Sequence, residues 1–170
     1  WGRIRSGHLA AVADSEAARA DLAAARHSLA AQTVKAWLGL TEARQQEDYA
    51  RTNVALIGAT TKQVRLRYEL GIRPALDLRL AEANLATAEA VVEQWHGERE
   101  QARRQLEILL GRYPSGRLVE QTILPELLPI VPVGLPSDLL TRRPDLHAAR
   151  TRLLASDARV IQAQAELYPK

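Results

Sequence analysis

Phenylalanine, methionine and cysteine are absent from these 170 residues, and three Trp and four Tyr supply the only large aromatic rings. A compact core of this size ordinarily uses such side chains as filler. Their scarcity argues for helices that pack closely along their length through small residues. Without cysteine there is no thiol nucleophile; the absence suits any compartment, the periplasm included. No run of 18 apolar residues occurs, so no transmembrane helix is expected in these residues, and no signal peptide is expected in them; neither expectation extends to a segment removed ahead of Trp1. The first residue is Trp rather than Met, from which we expect a processed or excised piece of something larger. The formal charge is +3 with a pI near 9.6. Basic and acidic residues alternate, as in Glu98-Arg99-Glu100, which reads as a solvated helix surface and not as a nucleic-acid footprint.

Covalent chemistry is equally thin. His8, His27, His96 and His147 share no i, i+3 or i, i+4 spacing with one another or with a useful carboxylate pair, so surface histidine is the reading and metal binding is not expected. There is no G-x-S-x-G elbow and no Gly-rich phosphate loop. No cofactor and no enzymatic activity are expected. Trp37 and Trp95 read as fillers between helices. Arg142-Arg143 admits an anion site, but a charged turn laying its stems on neighbouring surface is the plainer reading.

What is present is periodicity. Leu22, Leu29, Ala36, Ala43, Ala50, Ile57 and Val64 stand one heptad apart. An apolar residue at every seventh place keeps one stripe on a partner helix through a left-handed supercoil. Residues 3 to about 69 hold no Pro and are dominated by Ala, Leu, Arg, Gln and Glu, good helix formers, so one helix of about 65 residues and roughly 100 Å is expected. It stops at Gly71, suited to the left-handed conformation that closes a helix. Pro74 suits the first turn of a second helix, and Asp77 adds a carboxylate where the helix dipole favours one.

The second helix is expected from 75 to 111. Its stripe is Leu78, Ala81, Leu85, Ala88, Val92, Trp95, Ala102, Leu106 and Leu109, with Arg99 the single polar interruption and Gly111 a C-cap. Residues 112–136 hold five of the eight prolines with short apolar runs between them. This reads as an ordered connector on a helical surface rather than a flexible linker. Ser137 or Asp138 can cap a short helical turn that Pro144 interrupts. A third helix is expected from Pro144 to about Tyr168 with the stripe Leu146, Ala149, Leu153, Ser156, Val160, Ala163 and Leu167. The second and third helices total about 62 residues against about 67 in the first, agreeing within about 8 Å. One rod descending and two shorter rods stacked end to end on the return is therefore the expected all-α architecture. Trp1 and Lys170 then emerge together.

The most specific signal is Gly134-Leu135-Pro136-Ser137-Asp138-Leu139-Leu140-Thr141-Arg142-Arg143-Pro144-Asp145-Leu146. It resembles the G-L-P-S-x-L-L-x-R-R-P-D-I/L segment of the TolC-like outer-membrane efflux factors, in their OprM/NodT-type lipoprotein branch. Tyr68-Glu69-Leu70-Gly71-Ile72-Arg73-Pro74-Ala75-Leu76-Asp77-Leu78 is similar to that family's Y-x-x-G-x-x-x-x-L-D-L tip. Trp1-Gly2-Arg3-Ile4-Arg5 and the closing run through Ala163-Gln164-Ala165-Glu166-Leu167-Tyr168-Pro169-Lys170 resemble the segments that flank its helical part.

The resemblance implies the stretch between the two strand hairpins of such a protein. Residues 1–111 are then a periplasmic coiled-coil hairpin with its tip at 69–77. Residues 112–136 are an equatorial connector, and residues 137–170 a helix returning toward a β-barrel outside this chain. It implies a homotrimeric channel of the Gram-negative outer membrane, passive toward its solutes. It also implies docking at the tip to a periplasmic adaptor (membrane fusion) protein that links to an inner-membrane pump. Tyr68, Gly71, Ile72, Arg73, Ala75, Leu76 and Asp77 are the docking candidates. Leu135, Pro136, Arg142, Arg143, Pro144 and Asp145 are expected to set the connector's geometry and the helix start.

Two departures stand out. Pro74 occupies a position that is Ser or Thr in many relatives, so the capping-box hydrogen bond with Asp77 is lost and a stiffer tip is expected. The family's isoleucine-glycine reads Val160-Ile161-Gln162, which questions the close helix packing there. The competing readings are a spectrin-like three-helix scaffold, which requires helices of similar length, and an amphipathic lipid-surface protein, which requires wide apolar faces with aromatic anchors.

Overall fold

The structure, a computed structural model, describes residues 2–119, 138, 140 and 142–168. Three helices carry it: α1 (Arg3–Glu69, 67 residues), α2 (Ala75–Leu109, 35 residues) and α3 (Pro144–Ala165, 22 residues). No strand occurs among the described residues. Lengths this unequal do not fit a spectrin-like repeat. Among the described residues no helix is long and apolar enough to cross a membrane, and no cluster of His, Asp or Glu is arranged to hold a metal ion.

The chain forms two compact units, Gln32–Leu128 and Trp1–Ala31 with Pro129–Lys170. In the first, the 32–69 section of α1 runs antiparallel to α2. Ala36, Leu40, Ala43, Glu47, Ala50, Val54, Ile57, Thr61 and Val64 are its buried or half-buried stripe, alternating steps of four and three. The facing stripe on α2 is Leu78, Ala81, Leu85, Ala88, Val92, Trp95, Arg99, Ala102, Leu106 and Leu109, as the spacing predicts. Thr61 closes its hydroxyl onto the Ile57 carbonyl (2.9 Å) and reaches the Ala81 carbonyl across the seam (3.3 Å).

In the second unit the 3–31 section of α1 runs antiparallel to α3, and here two expectations fail. Leu22 and Leu29, the first members of the heptad series, are 53% and 49% exposed. The buried stripe is instead Ser6, Ala10, Ala17 and Ala20. On α3 the buried residues are Ala148, Thr151 and Ala155, while Leu153, Val160 and Leu167 of the expected stripe are exposed. The physical reason is side-chain size. Interaxial distance follows the residues at the contact, and a seam of Ala, Ser and Thr lets the helices approach until the Leu and Val positions point elsewhere. Asp14 with Arg159 and Asp21 with Arg152 form a two-rung ionic ladder beside this seam. Gly7 faces Gln162 closely enough that an added Cβ would lie 3.2 Å from its Oε1. Ile161, at the family's glycine position, is exposed and off the seam.

Element ends are local. α2 closes at Leu109 rather than 111, with Gly111 at φ +71° receiving the chain. α3 ends at Ala165, short of the expected Tyr168. Asp138, Leu140 and Arg142 are helical, and Arg143 is extended (φ −75°, ψ 116°), as a residue before proline should be. The connector's 120–136 stretch, with Leu135 and Pro136, lies outside the described residues, as do Ser137, Trp1 and Lys170.

Candidate functional site

The α1–α2 reversal is built by two punctuating residues. Gly71 at φ +71° accepts the left-handed geometry. Its N–H donates to the Tyr68 carbonyl (2.9 Å) and that of Ile72 to the Arg67 carbonyl (2.8 Å), the paired bonds of a Schellman closure. Pro74 then opens α2 with φ −71°, ψ 156° and no side-chain cap. Asp77 donates its backbone N–H to the Pro74 carbonyl (3.1 Å). Pro74 has no N–H for a capping-box carboxylate to accept, and the Asp77 carboxylate takes Arg73 Nη1 at 3.0 Å.

The end of the hairpin is apolar. Leu70, Ile72 and Leu76 are 65%, 66% and 67% exposed, and Tyr68, Gly71, Arg73 and Ala75 are exposed around them. Leu66 and Leu80 extend the patch up both helices and are likewise exposed. Leu66 with Leu70 and Leu76 with Leu80 stand i, i+4 apart, a spacing that marks all four in the sequence although only Leu76 is among the docking candidates there. Arg65 and Arg79 grip Glu82 at 2.9 and 3.1 Å on the flank. The hydrogen bond from Arg65, ahead of the pull of Arg79, holds the Glu82 carboxyl below its ordinary value.

Farther from the tip, Glu47 occupies a seam position and is 1% exposed. Arg99 Nη1 donates to its Oε2 at 3.0 Å, His96 Nδ1 lies 3.3 Å from Oε1, and Arg51 donates to the same oxygen. Burial pushes this carboxyl's pKa up, but the hydrogen bonds from Arg99, Arg51 and His96 outweigh it and hold the pKa below the ordinary value. Arg99, the polar interruption visible in the α2 stripe, thus has its partner far away in sequence. So does His96, which reads as a plain surface residue.

Glu107 is a second buried carboxylate. It accepts the backbone N–H groups of Gly116 (2.8 Å), Arg117 (2.9 Å) and Leu118 (3.0 Å). Its carboxyl is held below the ordinary value, with the Gly116 bond the largest cause. Arg103 adds a bond to the Gly116 carbonyl (3.0 Å). The start of the connector is thereby folded back on α2. No side-chain motif announces backbone donors, so this anchor could not be read in advance.

Arg143 and Asp145 pair in a fork at 3.1 and 2.6 Å across the start of α3, where Pro144 takes the first turn. Hydrogen bonding to Asp145 raises the Arg143 pKa, and that bond lowers the Asp145 pKa. Arg143 is therefore engaged, and Arg142 is exposed; the two do not present a joint open cation pair. An open groove of about 510 Å³ runs along the hairpin, lined by small and apolar residues such as Ala36, Gly39 and Trp95 and by the polar Gln32, Lys35, Glu42, Glu98 and Gln105.

A family profile described as outer membrane efflux protein matches residues 1–112. Similar proteins include the toluene efflux pump outer membrane protein TtgF of Pseudomonas putida, 31% identical over 169 residues, which cover 99% of this chain and 35% of that protein. Outer membrane protein OprJ of Pseudomonas aeruginosa is 31% identical over 176 residues, covering 100% and 36%. Among solved structures, the outer-membrane channel OprN superposes with a TM-score of 0.89 at 37% identity, over 99% of this chain and 38% of that one. The outer membrane protein VceC of Vibrio cholerae gives 0.85 at 25% identity, over 99% and 40%. The chain spans about a third of the length of the relatives it matches.

Proposed function

The chain belongs to the outer membrane efflux protein family, and from that membership we propose that it is the periplasmic helical section of a trimeric outer-membrane channel in a tripartite efflux system of a Gram-negative cell. Within it, residues 1–111 are the tunnel hairpin, 112–136 the equatorial connector and 137–170 the return toward the barrel. The section is a passive conduit. Solute passes without covalent chemistry, and no side chain is assigned a catalytic role.

The tip docks a periplasmic adaptor, which joins the channel to an inner-membrane pump. The observation that carries this reading is the tip itself. Leu70, Ile72 and Leu76 are about two-thirds exposed on a reversal whose α1 end is closed by backbone hydrogen bonds. A group of exposed apolar side chains gathered at a chain reversal is the mark of a protein contact. The exposed Leu153, Leu154, Val160 and Ile161 of α3 suit neighbouring helices of the same tunnel. Docking then biases the tunnel between a closed and an open packing, a population shift driven by the adaptor's differential contacts.

Co-purification of the adaptor with the full-length channel tests the docking assignment. Leu76→Asp places a charge in the patch without touching the Gly71 closure, and retention should fall at least about tenfold. Undiminished retention in both Leu76→Asp and Ile72→Asp overturns it.

A further inference from the structure

The hairpin of Gln32–Leu128 is not uniform along its length. On α1, Leu40, Thr41, Ala43 and Glu47 are buried within one short stretch, whereas from Asp48 to Glu69 the one buried residue is Thr61. On α2, Leu106 and Glu107 are buried at the far end, whereas from Ala75 to Glu98 the one buried residue is Ala88. Polar ties across the seam differ in burial rather than in number. On the tip-distal side the buried Glu47 carboxylate meets Arg99 and His96, while Arg103 and Glu107 tie residues 116–118 onto α2 beyond it. Toward the tip, the cross-helix ties are the Thr61 hydroxyl on Ala81 and the exposed Arg65–Glu82 pair. Glu47 is where the two regimes meet, and it is the one buried charged residue of α1.

We propose that Glu47, tied across the seam to Arg99, is the fulcrum of the hairpin. The tip-side arm, roughly 30 Å long at 1.5 Å per residue, opens and bends as one unit, and the opening stops at this pair. Local opening follows buried contact density, which is low on the tip side and changes at Glu47. Opening past the pair separates a buried carboxylate from the Arg99 guanidinium, and leaving such a group unpaired in the seam is strongly unfavourable. A load applied at the tip is therefore absorbed below Glu47. This inference rests on the geometry of the hairpin and not on what binds its end.

Hydrogen exchange on the 170-residue chain, read by mass spectrometry, tests it. Segments 50–66 and 78–95 should exchange together, about tenfold or more faster than 36–46 and 100–109. Glu47→Ala should accelerate 36–46 and 100–109 by about tenfold while leaving 50–66 and 78–95 nearly unchanged. If that variant does not fold, Glu47→Gln, which keeps the side-chain shape, should shift the same segments in the same direction by less. Thr61→Ala, on the tip side, should leave the boundary where it is. Even protection from 36 to 66, or a boundary indifferent to Glu47, overturns the proposal.

Discussion

Four glycines of one unit should respond to alanine with opposite signs, and the structure supplies the reason. Gly71 and Gly111 sit at φ +71°, and a Cβ built on either meets nothing within 4 Å. Alanine there has room, so the cost is the backbone alone, about 1–2 kcal/mol for an L-residue held in the left-handed region. Gly39 and Gly97 lie inside α1 and α2, and their Cβ positions are also open. Alanine there relieves a helix-interior glycine and should stabilise by about 0.5–1 kcal/mol. The two pairs should therefore separate by about 2 kcal/mol in urea unfolding followed by helical ellipticity, with unchanged m-values. D-alanine at position 71, by chemical ligation, should remove the penalty. If Gly71→Ala and Gly111→Ala unfold at the wild-type midpoint, the glycine-closed reversals described here are wrong.

The buried carboxylates predict an acid limb. Glu47 and Glu107 both have pKa values below the ordinary 4.5, so the stability they contribute is fully present above that value and is lost as pH falls through their folded values. The urea midpoint should stay level from neutral pH down to about 5 and drop below it. Glu107→Gln should lower the midpoint at neutral pH, because an amide cannot accept all three N–H groups, and should flatten part of the drop, because it does not titrate; an unchanged acid limb would count against the anchor. The ladder of Asp14–Arg159 and Asp21–Arg152 is solvent-exposed. Double-mutant cycles should find no more than about 1 kcal/mol per rung, fading in high salt; a larger, salt-independent coupling would contradict the exposed geometry. The isolated chain lacks about two-thirds of its relatives' length and should sediment as a monomer at micromolar concentration. A stable trimer would show that the helices alone supply the assembly energy.

Legibility in the sequence tracked how local the signal was. The tip was readable because Gly71 and Pro74 act on their own backbone. The α2 stripe was readable because Leu78, Leu85, Val92 and Leu106 are large among polar neighbours. The stripe of α3 and the Leu22–Leu29 part of the α1 heptad series differ from the pattern for one reason. In helices this rich in alanine, the Leu and Val positions draw the eye, while the true seam is made of Ala10, Ala17, Ala148 and Ala155, which look like background. Arg99 was visible as an interruption, but nothing in the sequence connects it to Glu47. The Glu107 anchor depends on backbone donors of Gly116, Arg117 and Leu118, which carry no side-chain pattern. The apolar tip residues Leu66 and Leu80 were present as i, i+4 partners and went unweighted.

Photo-crosslinking from defined positions of the full-length protein in cells tests the central claim most directly. A photoreactive residue at position 76 should yield an adduct with the periplasmic adaptor, and one at position 160 should yield channel-to-channel adducts instead. Adaptor adducts from position 160 with none from position 76 would contradict the assignment of the hairpin end as the docking surface.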